Sequence, residues 1–115
     1  MNSKRQLSDL QQRLAEFRDR RNWEVYHTPK NLALSVSIES AEIVELFQWK
    51  SDAEVEAALK NPEFKSKLAS EIADTLIYLT LLSAAADIDP IESAFEKVSL
   101  NEVRFPAAKD EATEQ

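Results

Sequence analysis

Residues 31–49, NLALSVSIESAEIVELFQW, set three glutamates, Glu39, Glu42 and Glu45, into an otherwise apolar run. If the run is helical, Glu39 and Glu42 stand on neighbouring positions of one face, with Cβ atoms about 5 to 6 Å apart. Like charges held that close repel each other. The spacing returns in SEIADTLIYLTLLSAAA as Glu71 and Asp74, where Asp74 is the only charge between residues 72 and 86. Two apolar helices, each carrying a pair of carboxylates, would surround a hard divalent cation with oxygen ligands if they packed antiparallel. With 21 acidic residues in 115, such pairs also arise on solvated helix faces, so spacing alone leaves both readings open. The apolar context favours the cation, because an ionised carboxylate costs several kcal/mol to bury. A buried pair persists only with a shifted pKa or a positive partner.

Composition limits what surrounds these segments. A content of 43% hydrophobic and 30% charged residues is that of a globular chain. One domain over 1–115 is expected, small enough that oligomerisation would help it bury apolar surface. The net charge of −7 argues against wrapping a nucleic-acid polymer or binding an anionic membrane. A polyanionic ligand would need a metal ion to mediate. Cysteine is absent, which excludes disulfides and thiolate metal sites, and so is glycine. Without glycine there is no Walker phosphate loop and no Rossmann turn, so phosphate recognition falls to side chains and metal. The start, MNSKRQLSDLQQR, is too polar for a signal peptide, and the most apolar run, 72–86, is shorter than the ~20 residues of a membrane span. A soluble cytoplasmic protein is expected.

The same count favours an all-α chain, a bundle of four to five helices completed by homo-oligomerisation. Asn22, Asn61 and Asn101 are the expected stand-ins for glycine at turns. Ser3 with Gln6 reads as a capping box, and Leu7, Leu10, Leu14 and Phe17 form one stripe of a helix ending near residue 21. NWEVYH is an aromatic connector, by itself a lid over the core or a stacking surface. Thr28 and Pro29 open the helix over 30–49, which is apolar on several sides and expected to be central. Ser51 with Glu54 caps a short helix over 52–60. Asn61 and Pro62 start the longest helix, to about residue 86, whose second half is apolar all round. Asp89 and Pro90 open the last helix, expected to end at Asn101, and residues 107–115 read as a frayed tail.

Side-chain chemistry narrows the reactions. A metal held by Glu39, Glu42, Glu71 and Asp74 would lower the pKa of a water, and a spare carboxylate would orient it as general base. The lone His27 gives no serine triad, no Glu-x-x-His di-iron pattern and too little imidazole for ordinary zinc hydrolysis. Alone, it reads as satisfying a local hydrogen bond. Lys30, Lys50 and Lys97 sit where they could neutralise phosphate, and Trp23, Trp49 and Tyr78 could stack on a base.

The pattern Glu-x-x-Glu followed by Glu-x-x-Asp on two helices resembles the MazG-like all-α nucleoside triphosphate pyrophosphohydrolases. The words NWEVYH, PKNL, VELFQWK, EIADTLIYL and KVSLNEVRFP, in that order over residues 5–106, resemble the dCTP pyrophosphatase branch. The resemblance implies Mg²⁺-dependent cleavage, with Mn²⁺ as a substitute, of a (deoxy)nucleoside triphosphate such as dCTP or a modified pyrimidine dNTP. The products would be the monophosphate and pyrophosphate. It implies Glu39, Glu42, Glu71 and Asp74 as metal ligands and catalytic groups. Trp23, His27, Lys30, Trp49, Tyr78, Lys97 and Asn101 would be substrate contacts. A dimer, or a tetramer made of two dimers, would be the assembly. The chain departs from the family at Ala41, where glycine is frequent, at Lys30, where arginine is frequent, and at Phe105, where tyrosine is usual. These departures bear on base preference and remove no metal ligand. The contrasting class is a non-catalytic helical oligomerisation or nucleotide-sensing module.

Overall fold

The computed structural model describes residues 5–108, and among them it contains five α-helices and no strand. These are α1 (Leu7–Arg20), α2 (Pro29–Phe47), α3 (Asp52–Ala58), α4 (Pro62–Ala85) and α5 (Pro90–Arg104), with one 3₁₀ turn, Glu24–Tyr26, between α1 and α2. Local chemistry sets most boundaries. The Thr28 hydroxyl accepts from the Asn31 N–H, and Pro29 supplies a pre-set φ at the first helical position. Ser51 and Glu54 form the reciprocal box that starts α3, at 2.8 and 3.2 Å. Asn61 and Asp89 cap α4 and α5, each followed by proline.

Several boundaries differ from expectation, among them the end of α3, which stops at Ala58 and not at residue 60. Gln6, not Ser3, caps α1, with Asp9 as its reciprocal partner; Ser3 lies outside the described residues. The helix α2 ends at Phe47, two residues before Trp49. Asn101 lies inside α5, which runs on to Arg104 because Phe105 N–H still reaches the Asn101 carbonyl at 2.7 Å. Left-handed backbone occurs at Asn22 (φ 55°), as expected, but its second instance is Asp87 (φ 58°), and Asn61 stays at φ −88° as a cap. Asp87 follows the end of α4, where a short polar side chain tolerates that conformation. Of the tail expected over 107–115, residues 109–115 lie outside the described residues.

The core is the antiparallel pair α2 and α4, with α1 laid against α4. Leu32, 2% exposed, and Leu81 are its buried apolar residues, and Thr80 buries its hydroxyl by donating to the Leu76 carbonyl at 2.7 Å. Within one chain α2 has one main neighbour instead of the several its composition suggests. Leu34, Ile38 and Val44 on α2, and Ile72, Leu76 and Leu79 on α4, stay open to solvent. On α5 every residue past Pro90 is exposed except Asn101, which is half-buried. By length and composition alone α4 could cross a membrane, but Glu71 and Asp74 sit halfway along it.

Candidate metal and nucleotide site

Helix geometry decides which acids meet. At about 100° per residue, each step of three turns the side chain back by about 60°, so Glu45 points about 120° away from Glu39. Glu45 is accordingly exposed, while Glu39 and Glu42 are half-buried. Across from them on α4 stands Glu71. Carboxylate oxygens of Glu39, Glu42 and Glu71 all lie within 4.8 Å of one another. Oxygens bound to one hard cation at about 2.0 to 2.6 Å sit at most about 4 to 5 Å apart, so the cluster has the dimensions of a single ion's inner sphere. Asp74 is close enough for its charge to act on both Glu39 and Glu71.

Electrostatics express the crowding. Burial, followed by the charges of Glu42 and Asp74, raises the Glu39 pKa above the ordinary carboxylate value. For Glu71 the largest cause is hydrogen bonding with the Glu42 carboxyl, then burial, then the charges of Glu42, Asp74 and Glu39; all raise its pKa. The Glu71 Oε1 atom is buried with no hydrogen-bond partner. A carboxyl with one buried oxygen left unpartnered, and with an oxygen within 4.8 Å of those of two further carboxyls, belongs to a donor set that a divalent cation would satisfy. Glu39, Glu42 and Glu71 could hold such an ion, with the charge of Asp74 acting beside them.

One turn from the cluster lies a cavity of about 240 Å³, walled by Trp23, Tyr26, His27, Asn31, Leu32, Ser35 and Tyr78. Ser35 precedes Glu39 by four residues on α2, and Tyr78 follows Asp74 by four on α4. The antiparallel register therefore stacks Ser35 with Tyr78, Glu39 with Asp74, and Glu42 with Glu71 along a single groove. Trp23 is fixed edge-on to Phe17, with ring centres 5.6 Å apart, and the Arg21 guanidinium covers the other ring at 3.6 Å. A second cavity, lined by Leu14, Phe17, Ile77 and Leu81, shares His27 and Tyr78 as its wall. The aromatic connector is thus part of a pocket, and His27 Nδ1 finds no local hydrogen-bond partner, contrary to the expectation drawn from His27 alone.

Three of the expected substrate contacts, Trp23, His27 and Tyr78, are brought together. Lys30, Trp49, Lys97 and Asn101 stand on neither wall. Trp49 is 87% exposed past the end of α2, and Lys50 lies over the Phe64 ring at 5.4 Å. Tyr26, Asn31 and Ser35 line the cavity without having been singled out by sequence. For Asn31 a signal existed in the spacing, since the third residue of a helix faces back toward the segment that enters it.

Desolvation, then the nearby Arg18 charge, lowers the His27 pKa below its ordinary 6.5. Below pH 6.5 the unfolded chain therefore binds more protons at this residue than the native one, and native stability falls as pH drops toward the folded-state pKa. Thermal melts of wild type and His27→Gln between about pH 7.5 and 5 should show the variant gaining on wild type as pH falls. A gap independent of pH would show that His27 titrates normally.

An all-α chain with a carboxylate cluster shared by two antiparallel helices, one turn from an aromatic cavity, defines a class of small helical proteins with a candidate cation site. The sequence pattern of the MazG-like family matches residues 34–115, and the chain belongs to that family. It is 40% identical over 100 residues to dCTP pyrophosphatase 1 of Rattus norvegicus, covering 87% of this chain and 59% of that protein. It is 39% identical over 101 residues to dCTP pyrophosphatase 1 of Homo sapiens, covering 88% and 59%. The chain thus spans about 59% of the length of these curated relatives. The crystal structure of a pyrophosphatase from Archaeoglobus fulgidus DSM 4304 superposes with a TM-score of 0.83 at 44% identity, covering 93% of this chain and 98% of that one.

Proposed function

We propose that the protein is a Mg²⁺-dependent pyrophosphohydrolase that converts a deoxynucleoside triphosphate, dCTP or a modified pyrimidine analogue, to the monophosphate and pyrophosphate. The observation that carries this reading is the groove: carboxylates of Glu39, Glu42 and Glu71 within 4.8 Å, Asp74 beside them, and a cavity of nucleobase size one turn away. The names of its relatives point the same way. The base enters between Trp23, His27 and Tyr78, and the triphosphate extends along the register toward the acids. A bound Mg²⁺ would offset phosphate charge and acidify a water. Glu39, Glu42, Glu71 and Asp74 would hold it, and one carboxylate not fully engaged would accept the water's proton. The water oxygen bonds to phosphorus, the bond to the α–β bridging oxygen breaks, and pyrophosphate leaves with the electron pair.

A homo-oligomer, a dimer or a pair of dimers, is part of the same proposal. Lys97 and Asn101 lie on the exposed α5 and Trp49 beyond α2, so their contact with substrate depends on a second copy seating these elements against the groove. The test is pyrophosphate release from canonical and 5-substituted dNTPs, with and without Mg²⁺, followed by phosphorus NMR. Cleavage to monophosphate and pyrophosphate that stops on chelation is the expected result. Binding of triphosphate without cleavage would replace the enzyme by a sensor.

A further inference from the structure

We infer that Asn31 reads the base, selecting a 4-aminopyrimidine over a 4-oxopyrimidine, an inference that rests on the cavity being the base site. The polar side chains on the cavity wall differ in how freely they change role. The hydroxyls of Tyr26, Ser35 and Tyr78 donate or accept by rotation, and His27 does so by exchanging tautomers. None of these, nor the donor-only indole of Trp23, is a fixed acceptor. Asn31 is different because its amide is locked: Nδ2 donates to the Tyr26 carbonyl at 3.1 Å. A carbonyl has no hydrogen to give, so that bond fixes which end of the amide is nitrogen. Its backbone N–H is held as well, by Thr28 Oγ1 at 3.2 Å. The side-chain oxygen, Oδ1, receives no hydrogen bond from any described residue and is an acceptor that cannot become a donor.

A fixed acceptor pairs with the exocyclic amine at C4 of a cytosine-type base and opposes the oxygen that uracil and thymine carry there. Leaving such a site unpaired, or facing another acceptor, is a larger penalty than losing one favourable contact.

The experiment measures kcat/KM with Mg²⁺ for dCTP, dUTP and the triphosphate of the 2-pyrimidinone deoxynucleoside, which lacks any group at C4. Wild type should favour dCTP over each of the others by about tenfold or more, and Asn31→Leu should bring the three within a few-fold of one another. A dCTP to dUTP ratio unchanged by Asn31→Leu overturns the inference. If that variant does not fold, the wild-type comparison decides alone: equal rates for dCTP and the 2-pyrimidinone analogue also overturn it. Wild type that cleaves none of the three fails differently, removing the pyrophosphohydrolase reading and the role of Asn31 with it.

Discussion

Glu71→Gln should lower pyrophosphate release by more than about a hundredfold while raising the melting temperature of the metal-free protein at neutral pH. The first effect follows from removing the side chain that faces both α2 glutamates; partners one shell further from a metal already cost 10- to 100-fold when lost. The second follows from the repulsion that the same side chain creates. Because the folded protein raises the pKa values of Glu71 and Glu39 above 4.5, it binds more protons than the unfolded chain as pH rises past that value. Stability of the metal-free protein therefore declines with rising pH through that window, and above the folded-state pKa values the full loss remains. A neutral amide removes one charge from the cluster and flattens the decline. Mg²⁺ should act in the opposite sense, stabilising wild type by mass action and the variant much less. Circular dichroism melts with and without Mg²⁺, beside a pyrophosphate assay, check both halves. Undiminished turnover in the variant would end the proposed metal role, and an unaltered metal-free melt would show that the acids do not strain one another.

The same cluster shows what could be read from sequence and what could not. Glu39, Glu42, Glu71 and Asp74 were visible because acids in an apolar helix violate the local pattern, and helical spacing then says which of them share a face. It separates Glu45 for the same reason. The starts of α2, α3, α4 and α5 were visible because Thr28, Ser51, Asn61 and Asp89 act on N–H groups two or three residues away. Features that depend on contacts between elements were hidden. Nothing local says that the Asn31 amide is locked by the Tyr26 carbonyl, that His27 forms a wall between two cavities, or that Asp87 takes the left-handed turn. Asn101 suggests a helix end because asparagine often stands there, whereas α5 continues for another three residues. Lys97 and Trp49, expected as substrate contacts from the resemblance, stand outside the groove in one folded chain.

Leu76→Glu should convert an oligomer into a monomer, lower the melting temperature by about 10 °C or more and abolish turnover, although Leu76 touches neither cavity. Ile72, Leu76 and Leu79 recur at four and three residues and form a stripe about 160° around α4 from the side that carries Asp74, Tyr78 and Leu81. All three are exposed in the single chain. Leu34 and Ile38, one turn apart on α2, add a second open apolar strip. The dimensions agree with a missing neighbour. The radius of gyration is 18.3 Å, against about 13 Å for a compact chain of this size. The accessible surface of 9429 Å² exceeds by roughly 3,000 Å² what a 13.1 kDa monomer ordinarily exposes. Buried on each of two copies, that excess amounts to roughly 6,000 Å² in total, at or above the upper end of the range for obligate homodimers, about 2,000 to 5,000 Å² and more. A carboxylate placed in such an interface would go unpaired out of water, at a cost of several kcal/mol, and each kcal/mol moves the melting temperature of a domain this size by about 4 to 8 °C. Light scattering coupled to gel filtration gives the assembly state, and wild-type melts over a hundredfold range of concentration give its coupling to folding. A wild type that is monomeric at micromolar concentration, with a melting temperature independent of dilution, would show that the open stripes on α2 and α4 serve something other than a second copy.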